Sequence, residues 1–426
     1  MSGSESVAII GGGIAGVAAA VRLADAGVTS TIYEKSARMG GRASSFVDNK
    51  SGEEIDCGQH ILMGCCTELI ELYRKLGTLE HVRWQKKILF VDEWGNRHTI
   101  SAADSLPAPL HLAPSLVGGS LVPPEELYGT ARFVAGIALS SIMPPRLKLI
   151  SAARWMEEEG QRGKALHRIW EPLIVSAINA ALERIAASEA WFFIKEALLE
   201  DAGNFALGVP TLPLSAMIAP VSGRFSGIEV KFRSPVSAVS GDGWSVTVAG
   251  RKHDHAAVIS SCPPWSLPEG IEVPGEFIAE PIVGVRLKYD APAMDVENIC
   301  VIGKPTHWFY ARPHPDGSQS ITAVRAAATA SIAHPPKRIF EETIEDLEDI
   351  FPRARECGLL NHTVTKMPQA TFLPSIGLER PKAVTDRERI FLAGEWTDTG
   401  WPSTMEGAAR SGKNAAEALL SLRRGP

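Results

Sequence analysis

A glycine-rich turn near the start of the chain constrains the fold more than any other feature. The apolar run Val7–Ile10 leads into the pattern Gly11-x-Gly13-x-x-Gly16, and small residues at helical spacing continue to Ala26. Because the pattern lies between a predicted strand and a predicted helix, it indicates a dinucleotide-binding βαβ unit. The first glycine permits a tight turn, the second the approach of a pyrophosphate, and the third the packing of helix on strand.

The start of this helix predicts an anion site. Free N–H groups and the helix dipole favour a pyrophosphate there, and the candidate contacts are Gly11, Gly13, Ile14, Ala15 and Gly16. A second β-rich run ends on Glu34, 23 residues after Gly11, where a carboxylate can accept hydrogen bonds from ribose hydroxyls. Lys35, the next residue, is a further candidate for cofactor binding.

A second glycine turn, Arg38-Met39-Gly40-Gly41-Arg42, favours FAD over NAD. Adjacent glycines permit close backbone approach to a ligand, and arginines contact phosphate oxygens. A simple nicotinamide-binding fold has no need of a second phosphate loop directly after its second strand. With this turn the sequence resembles the flavin-containing amine oxidase superfamily, which includes polyprenoid desaturases. The resemblance implies FAD as the cofactor, with Gly41 and Arg42 among its contacts.

The C-terminal stretch from Ile390 to Gly412 carries the same resemblance. A buried strand is predicted to end on Gly394-Glu395, and a helix to start near Pro402, because proline favours the first helical turn. In the superfamily this stretch holds the flavin end of FAD through an acidic side chain and through backbone amides at the helix start. The match transfers to Gly394, Glu395, Thr404 and Met405.

Two internal segments complete the cofactor site that the resemblance implies. Residues 56–62, Asp-Cys-Gly-Gln-His-Ile-Leu, match a stretch that returns to the flavin ring, where Gly58 lets the backbone approach. An alternating apolar run from Ile228 to Val248 predicts antiparallel strands. In the superfamily such strands carry a residue whose backbone contacts the adenine, and the matching position is Val236.

The predicted elements indicate an α/β fold with two domains, as a length of 426 residues favours. A Rossmann-like FAD-binding domain is assigned to residues 1–80, 220–265 and 386–426. A discontinuous α+β substrate domain is assigned to residues 81–219 and 266–385. Its predicted elements are strands at 282–287, 299–301, 308–310 and 320–324 and a helix from Pro336 to Ile350.

Residues 104–150, rich in Leu, Ala and Pro, contain the apolar stretch 133–143 and have two interpretations. The stretch is a buried helix of the substrate domain, or a surface that dips into a bilayer and admits a lipid substrate, and both can hold for different faces. No apolar run reaches the ~20 residues that span a bilayer. The first strand begins almost at once after Met1, so no signal peptide is expected. We therefore expect a cytoplasmic protein, in the second interpretation peripheral on the inner face of the cytoplasmic membrane.

Charge and cysteine usage exclude other classes. A net charge of −6 argues against a general nucleic-acid binder. The six cysteines show no C-x-x-C spacing, which fits a reducing compartment. His253 and His255 lack neighbouring ligands in the sequence, so no metal site is expected.

The closing motif also bears on the substrate. Amine oxidases place an aromatic cage residue immediately before the methionine of this motif, where the present chain has Thr404. An amine substrate is therefore not expected, and no cysteine follows Cys357 that could hold a covalent flavin there. The sequences of segments 56–62 and 394–408 instead resemble those of the bacterial hydroxysqualene dehydroxylases.

That resemblance implies reductive removal of the hydroxyl of hydroxysqualene to give squalene, in a pathway that supplies hopanoids and contains squalene-forming synthases as possible partners. One alternative is a carotenoid-type desaturase or oxidase, which runs the flavin in the opposite direction. Another is a non-catalytic carrier of prenyl lipids, which absence of bound flavin would favour.

The dehydroxylation needs a hydride donor, a proton donor and a long apolar site that excludes water. His60 and Asp398 are the first candidates for the proton donor, with Glu406 behind them. Each has a structural alternative: a hydrogen-bonded turn histidine, a capping aspartate, and a glutamate that favours a helix dipole. Trp396 and Trp401 either flank the polyprene and stabilise positive charge or pack in the core.

Overall fold

The computed structural model of the protein describes residues 6–49, 52–241 and 245–424. Residues 1–5, 50–51, 242–244 and 425–426 of the predicted cofactor domain lie outside the described residues, and 242–244 are part of the run predicted as strands from Ile228 to Val248. In chain order the strands of the described part, β1 to β20, are Val7–Ile10, Ser30–Tyr33, Ser45–Val47, Glu54–Asp56, Leu62–Met63, Val82–Gln85, Lys87–Val91, Arg97–Ser101, Leu207–Pro210, Ile228–Lys231, Val236–Ser240, Ser245–Val248, Arg251–Asp254, Ala257–Ser260, Ala279–Tyr289, Asn298–Val301, Trp308–Pro313, Gln319–Arg325, Leu359–Phe372 and Ile390–Leu392.

The helices of the same residues, α1 to α12, are Ile14–Asp25, Thr67–Leu76, Ala113–Gly118, Pro124–Leu139, Ala152–Glu158, Gly163–Ala165, Glu171–Ile178, Ala187–Phe193, Leu214–Ile218, Val221–Arg224, Pro336–Ile350 and Met405–Arg424. Two π-helical segments, Leu166–Trp170 and Ile194–Leu199, flank α7 and α8. None of the described helices combines the length and the apolar character that crossing a bilayer requires.

A five-stranded parallel sheet in the order β10-β2-β1-β14-β20 forms the first layer. Every residue of β1 and β14 is buried, as expected of central parallel strands covered on both faces. All five strands come from the segments assigned to the cofactor domain. The structure is thus the predicted α/β fold with a Rossmann-like sheet.

Helices α1 and α12 pack closely against each other beside this sheet. A Cβ atom added at Gly412 would overlap the carbonyl oxygen of Ala15 and approach the Cβ of Ala18 to 2.9 Å. Glycine at this position therefore lets the two backbones approach.

A seven-stranded mixed sheet in the order β19-β15-β18-β17-β16-β7-β8 forms the second layer. The predicted strands of this region are confirmed as β15 to β18, and the helix Pro336–Ile350 is confirmed with the same bounds. β19, the 14-residue partner of β15, was not predicted. Its sequence contains Pro368, which normally argues against a strand. The strand accommodates this proline because its pairing with β15 shifts register between Glu280 and Ile282, next to Pro368.

Helices α3 to α8 and the two π-helical segments supply much of a third layer around the largest apolar cluster. Helix α4 buries Phe133 and Ile137 in this cluster, whereas Leu139 and Ile142 beyond them are 86% and 79% exposed. The apolar stretch 133–143 thus presents one face to the core and another to solvent.

The C-terminal helix begins at Met405, three residues later than Pro402, which was expected to lie in its first turn. Thr404 explains the difference, because its Oγ1 accepts a hydrogen bond from the N–H of Gly407 at 3.1 Å. A threonine that accepts from the third helical residue is an N-cap. Pro402 lies before the cap.

Candidate functional site

The carboxyl ends of β1, β14 and β20 meet at one edge of the parallel sheet. Ser261, which follows β14, donates its hydroxyl to the carbonyl oxygens of Ile10 and Gly11 at 2.8 and 3.0 Å. Gly11 has a φ of 104°, and a Cβ atom there would lie 2.7 Å from the Ser261 hydroxyl. The first glycine turn is therefore fixed by a residue 250 positions away.

Glu34 holds the same turn from β2. Its carboxylate accepts from the N–H groups of Gly12 and Ser36, both at 2.7 Å, and the side chain is buried. The second glycine turn lies directly against the first, since the N–H of Gly40 donates to the carbonyl of Gly12 at 2.9 Å. Gly40 and Gly41 both have positive φ, which glycine adopts without strain.

Among the described residues, no side chain caps the N-terminus of α1. Gly13 is the N-cap and offers no side chain, and no acidic residue lies in the first turn of this 12-residue helix. The space beside the Gly13 Cα atom is also open, since a Cβ atom added there would meet nothing closer than 3.9 Å. An uncapped helix start with open backbone fits an anionic pyrophosphate. Gly13, Ile14, Ala15 and Gly16 could supply its N–H donors.

Arg42 and Glu395 join the second glycine turn to the closing motif. The guanidinium donates to both carboxylate oxygens of Glu395, at 2.6 and 2.7 Å. The arginine side chain is 33% exposed and the glutamate side chain 8%. Trp265 lies over the guanidinium, 5.7 Å from ring centroid to Cζ, at the side of a groove of about 490 Å³.

The segment that leads to Val236 contacts Glu34. Val236 opens β11 of a three-stranded antiparallel sheet, β11-β12-β13, as the alternating pattern predicted. The chain that enters β11 is anchored next to Glu34, because the N–H of Ser234 donates to the Glu34 carbonyl at 2.9 Å. Lys35 is exposed in this region.

Gly58 and His60 lie between the two layers. A Cβ atom at Gly58 would lie 2.9 Å from Met367 Cε of β19, and one at Gly284 of β15 would lie 3.9 Å from the Cys57 carbonyl. The 56–62 segment therefore runs close to both strands of the second sheet. Gly58 is buried and His60 half-buried.

His60 has a defined tautomer. Its Nδ1 lies 2.9 Å from the carbonyl oxygen of Gly58, and since a carbonyl only accepts, Nδ1 carries the hydrogen. Burial lowers the pKa of His60, and the Arg42 guanidinium lowers it further, against the opposite effects of Gly58 and Asp56. The imidazole is thus neutral at pH 7 with a lone pair on Nε2, and it takes up its second proton only in more acidic conditions.

The other two candidates for the proton donor lie in different surroundings. Asp398 is exposed, and its N–H donates to the carbonyl of Pro381 at 2.8 Å. Glu406 is fully buried and accepts from the N–H groups of Glu68 and Leu69 at 3.1 and 2.8 Å. Burial raises the pKa of Glu406, while these two bonds and Arg410 oppose the rise. Glu406 therefore binds the start of α2 rather than the start of its own helix.

The two tryptophans of the closing motif differ in their contacts. Trp396 is fully buried, donates to the Cys262 carbonyl at 3.0 Å and packs edge-on against Phe277. Trp401 packs edge-on against Phe192 of α8, with a centroid distance of 5.1 Å, and Arg410 lies 4.5 Å over its ring. Trp396 is a packing residue, and Trp401 links the closing motif to the helical layer.

Several residues that hold the glycine turns and the closing motif in place were not predicted from the sequence. They are Ser261 on the first turn, Trp265 on Arg42, Met367 against Gly58, and Ser411, whose hydroxyl accepts from the Gly394 N–H at 2.7 Å. A serine next to a buried strand was the only available signal for Ser261, and it is a weak one. Within the described residues, no cluster of three or more His, Cys, Asp or Glu side chains could hold a metal ion.

The sequence is similar to those of known proteins over nearly its whole length. Hydroxysqualene dehydroxylase of Rhodopseudomonas palustris is 28% identical over 447 residues, covering 99% of this chain and 100% of that protein. The enzyme of the same name from Zymomonas mobilis is 27% identical, with 97% and 98% covered. Zeta-carotene desaturase of Capsicum annuum is 25% identical, with 98% and 82% covered.

Solved structures agree on the fold. Cyclohexylamine oxidase from Brevibacterium oxydans superposes with a TM-score of 0.73 at 17% identity, over 99% of this chain and 100% of that one. The sequence pattern of the family described as flavin containing amine oxidoreductase matches residues 14–420. The uncapped α1 start, the paired glycine turns and Arg42 fit the anionic cofactor of that family. The chain therefore belongs to the flavin-containing amine oxidoreductases and is an FAD-dependent oxidoreductase.

Proposed function

We propose that this enzyme removes the hydroxyl group of hydroxysqualene reductively and so forms squalene. The observation that carries the proposal is the full-length likeness to proteins named hydroxysqualene dehydroxylase, at 27–28% identity. The presence of Thr404 in place of an aromatic cage residue supports a substrate other than an amine.

The chain's own groups would hold FAD along the sheet edge. Backbone amides from Gly13 to Gly16 would donate to the pyrophosphate, with Gly11 shaping the turn and Arg42, paired with Glu395, adding positive charge. The Glu34 carboxylate would accept from the ribose, and the backbone of Val236 would contact the adenine. Lys35 adds a positive charge at the ribose end. The remaining contacts, toward the ribityl chain and flavin ring, come from Gly41, Gly58, Gly394, Glu395, Thr404 and Met405.

The substrate side of this arrangement is apolar and aromatic. Ile61, Met63 and Trp401 pack against the same buried cluster as Trp308 and Tyr310, so the cofactor segments adjoin the apolar interior of the substrate domain. Such surroundings suit a polyprene chain and exclude water, which would otherwise capture a cation-like carbon. Bound FAD, once reduced, supplies the hydride.

Proton delivery is assigned to His60, with Asp398 as the second candidate. The protonated imidazole of His60 donates to the substrate hydroxyl, which then leaves as water. Because burial lowers the pKa of His60, the charged form gives up its proton readily once formed. The exposure of Asp398 makes it the weaker candidate, since an exposed carboxyl has no water-excluding surroundings.

The exposed apolar side chains of the helical layer support peripheral contact with a membrane, where such a substrate resides. Tyr128, Leu139, Ile142 and Leu149 are 70–86% exposed. Lys148, also exposed, lies in the same stretch and suits anionic headgroups, whereas Arg146 is paired with Glu158.

A polyprenoid desaturase is the second candidate, and the likeness to zeta-carotene desaturase favours it. The two reactions use the flavin in opposite directions, so one anaerobic experiment separates them. Purified protein is reduced, mixed with hydroxysqualene, and followed by flavin absorbance and by squalene analysis. Reoxidation matched by squalene supports the proposal. Reduced flavin that persists without product contradicts it, and oxidised enzyme is then assayed with phytoene-like polyenes.

A further inference from the structure

A hydrogen-bonded relay of aspartate, histidine and serine lies on the hairpin β7–β8 and on the segment after α3. His98 Nε2 is 3.1 Å from Asp92 Oδ2, and His98 Nδ1 is 2.6 Å from the Ser120 hydroxyl. None of the three belongs to the cofactor segments. The relay joins residues that the sequence separates by 6 and 22 positions.

The surroundings of Asp92 fix the direction of these bonds. Its Oδ1 accepts from the N–H groups of Trp94 and Asn96 at 3.0 and 2.8 Å, and the Asn96 amide reaches Oδ2 at 3.2 Å. Burial alone would raise the pKa of Asp92, but the hydrogen bonds from His98, Asn96 and Trp94 lower it. The carboxylate is therefore ionised and only accepts, so His98 Nε2 carries a hydrogen. With that hydrogen on Nε2, the Nδ1 atom is the one placed to accept the hydrogen of the Ser120 hydroxyl.

Exposure differs sharply along the relay. The side chains of His98 and Asp92 are 6% and 2% exposed, whereas Ser120 is an exposed residue. Arg168 lies 3.9 Å from Asp92 Oδ2 and 3.6 Å from Glu93 Oε1, with its guanidinium 4.9 Å over Trp94. A desolvated, oriented base thus meets a hydroxyl that an external molecule can reach. Val117, three residues before Ser120, is exposed and would offer an apolar contact for an acyl group.

We propose that Ser120 is a nucleophile for carboxylic esters with short apolar acyl groups, with His98 as its general base and Asp92 as the positioning residue. A serine, histidine and acid in this order of contact is the arrangement that recurs in hydrolases of unrelated folds. In those hydrolases Nε2 contacts the serine and Nδ1 the acid, whereas in His98 Nδ1 contacts the serine and Nε2 the acid. The proton still passes from the serine hydroxyl to the imidazole.

The reaction is a hydrolysis without net redox change. Ser120 Oγ bonds to the acyl carbon while its proton passes to His98 Nδ1. The bond from the acyl carbon to the alcohol oxygen then breaks, and that oxygen takes the proton. Water attacks the acyl-serine, gives one proton to Nδ1, and Ser120 recovers it as the acid leaves.

The test uses the oxidised, FAD-loaded protein with a fluorophosphonate probe and with p-nitrophenyl butyrate. We expect a phosphonyl adduct on Ser120 in peptide mass spectrometry. Ser120→Ala should abolish that adduct and lower ester hydrolysis at least 10-fold. Asp92→Asn should lower kcat at least 10-fold with KM unchanged, because it alters the base and leaves the ester contacts intact.

Ser115→Ala is the matched control. Ser115 lies five residues earlier and bonds to Ser101 rather than to an imidazole, so this variant should retain the adduct and the esterase rate. Flavin absorbance and the thermal midpoint show whether each variant is folded. An adduct confined to other residues, or equal hydrolysis by Ser120→Ala and the unchanged protein, overturns the proposal. Neither assay contains a polyprenoid, so the result is independent of the proposed function.

Discussion

Arg42 donates two parallel hydrogen bonds to Glu395 across 353 residues of sequence. The pair ties the turn after β2 to the turn after β20, and so joins the two ends of the cofactor site. Its bidentate geometry and the burial of Glu395 distinguish it from the ion pairs at the surface, such as Arg22 with Glu417, whose side chains are 33% and 43% exposed.

Loss of Arg42 should therefore be costly. Arg42→Gln leaves a buried carboxylate with no cation and should lower the free energy of unfolding by about 2 kcal/mol. Urea denaturation at fixed FAD concentration measures this. Arg22→Gln, the control, should cost less than about 1 kcal/mol. The double variant Arg42→Gln with Glu395→Gln should recover part of the loss, and strict additivity would contradict a direct interaction.

Gly412→Ala should separate α12 from α1. The added methyl group would overlap the Ala15 carbonyl, a backbone atom with no freedom to move aside, so we expect destabilisation by about 2 kcal/mol or more. Gly136→Ala in α4 is the matched control, because an added Cβ there meets nothing within 4 Å. That variant should gain about 0.5 kcal/mol, since alanine favours a helix. Equal thermal midpoints for the two variants would refute the packing argument.

His307 should make stability depend on pH. Burial, with Arg325 adding to it, lowers the pKa of His307 to about 4. The unfolded chain, with a pKa near 6.5, then binds the proton first as pH falls. The stabilising contribution is complete above pH 6.5 and is lost between pH 6.5 and 4, by up to about 3 kcal/mol. His307→Gln should show a smaller decrease over this window in thermal unfolding, whereas the exposed His167→Gln should behave like the unchanged protein.

The assignment of His60 predicts a pH profile for turnover. The proton-donating form is scarce at neutral pH because the pKa of His60 is lowered. The anaerobic single-turnover rate should therefore rise as pH falls toward that lowered pKa and then level off. His60→Gln should remove the rise and slow turnover by roughly 10²-fold or more. If His60→Gln and Asp398→Asn both turn over normally, neither residue is the donor.

Membrane contact is tested with two exposed residues. Leu139→Glu combined with Ile142→Glu should reduce cosedimentation with anionic phosphatidylglycerol vesicles at least 10-fold, since each apolar side chain contributes about 1.5 kcal/mol or more when buried. Turnover in detergent should stay unchanged, because neither side chain reaches the interior. Absence of vesicle binding by the unchanged protein would disprove the contact.

The sequence was informative where function depends on local pattern. The glycine turns and Glu34 lie within 36 residues of one another, and the physical reasons for their spacing are local. Ser261, Trp265 and Met367 were missed because each acts through a strand that the chain reaches hundreds of residues later. No periodicity reports such a contact.

The boundaries of helices and strands were likewise predicted where a local pattern sets them and missed where a distant contact does. The bounds of α11 were predicted correctly, whereas α12 was placed too early because a proline signal outweighed the threonine cap. β19 was missed because Pro368 masks its pattern and only the partner strand β15 accommodates it. The Asp92–His98–Ser120 relay had no sequence signal, since its spacing matches no known motif.

The order of strands in the parallel sheet also has a consequence for biosynthesis. β20 and α12 leave the ribosome after the other four strands of this sheet and after α1, and until then β14 is an open edge and the small face of α1 is bare. Such surfaces invite wrong pairing in a growing polypeptide. A ribosome that stops before residue 390 releases a chain without Glu395 and without the helix that covers α1. FAD retention should therefore begin only after β20 and α12 have been synthesised and have joined the sheet.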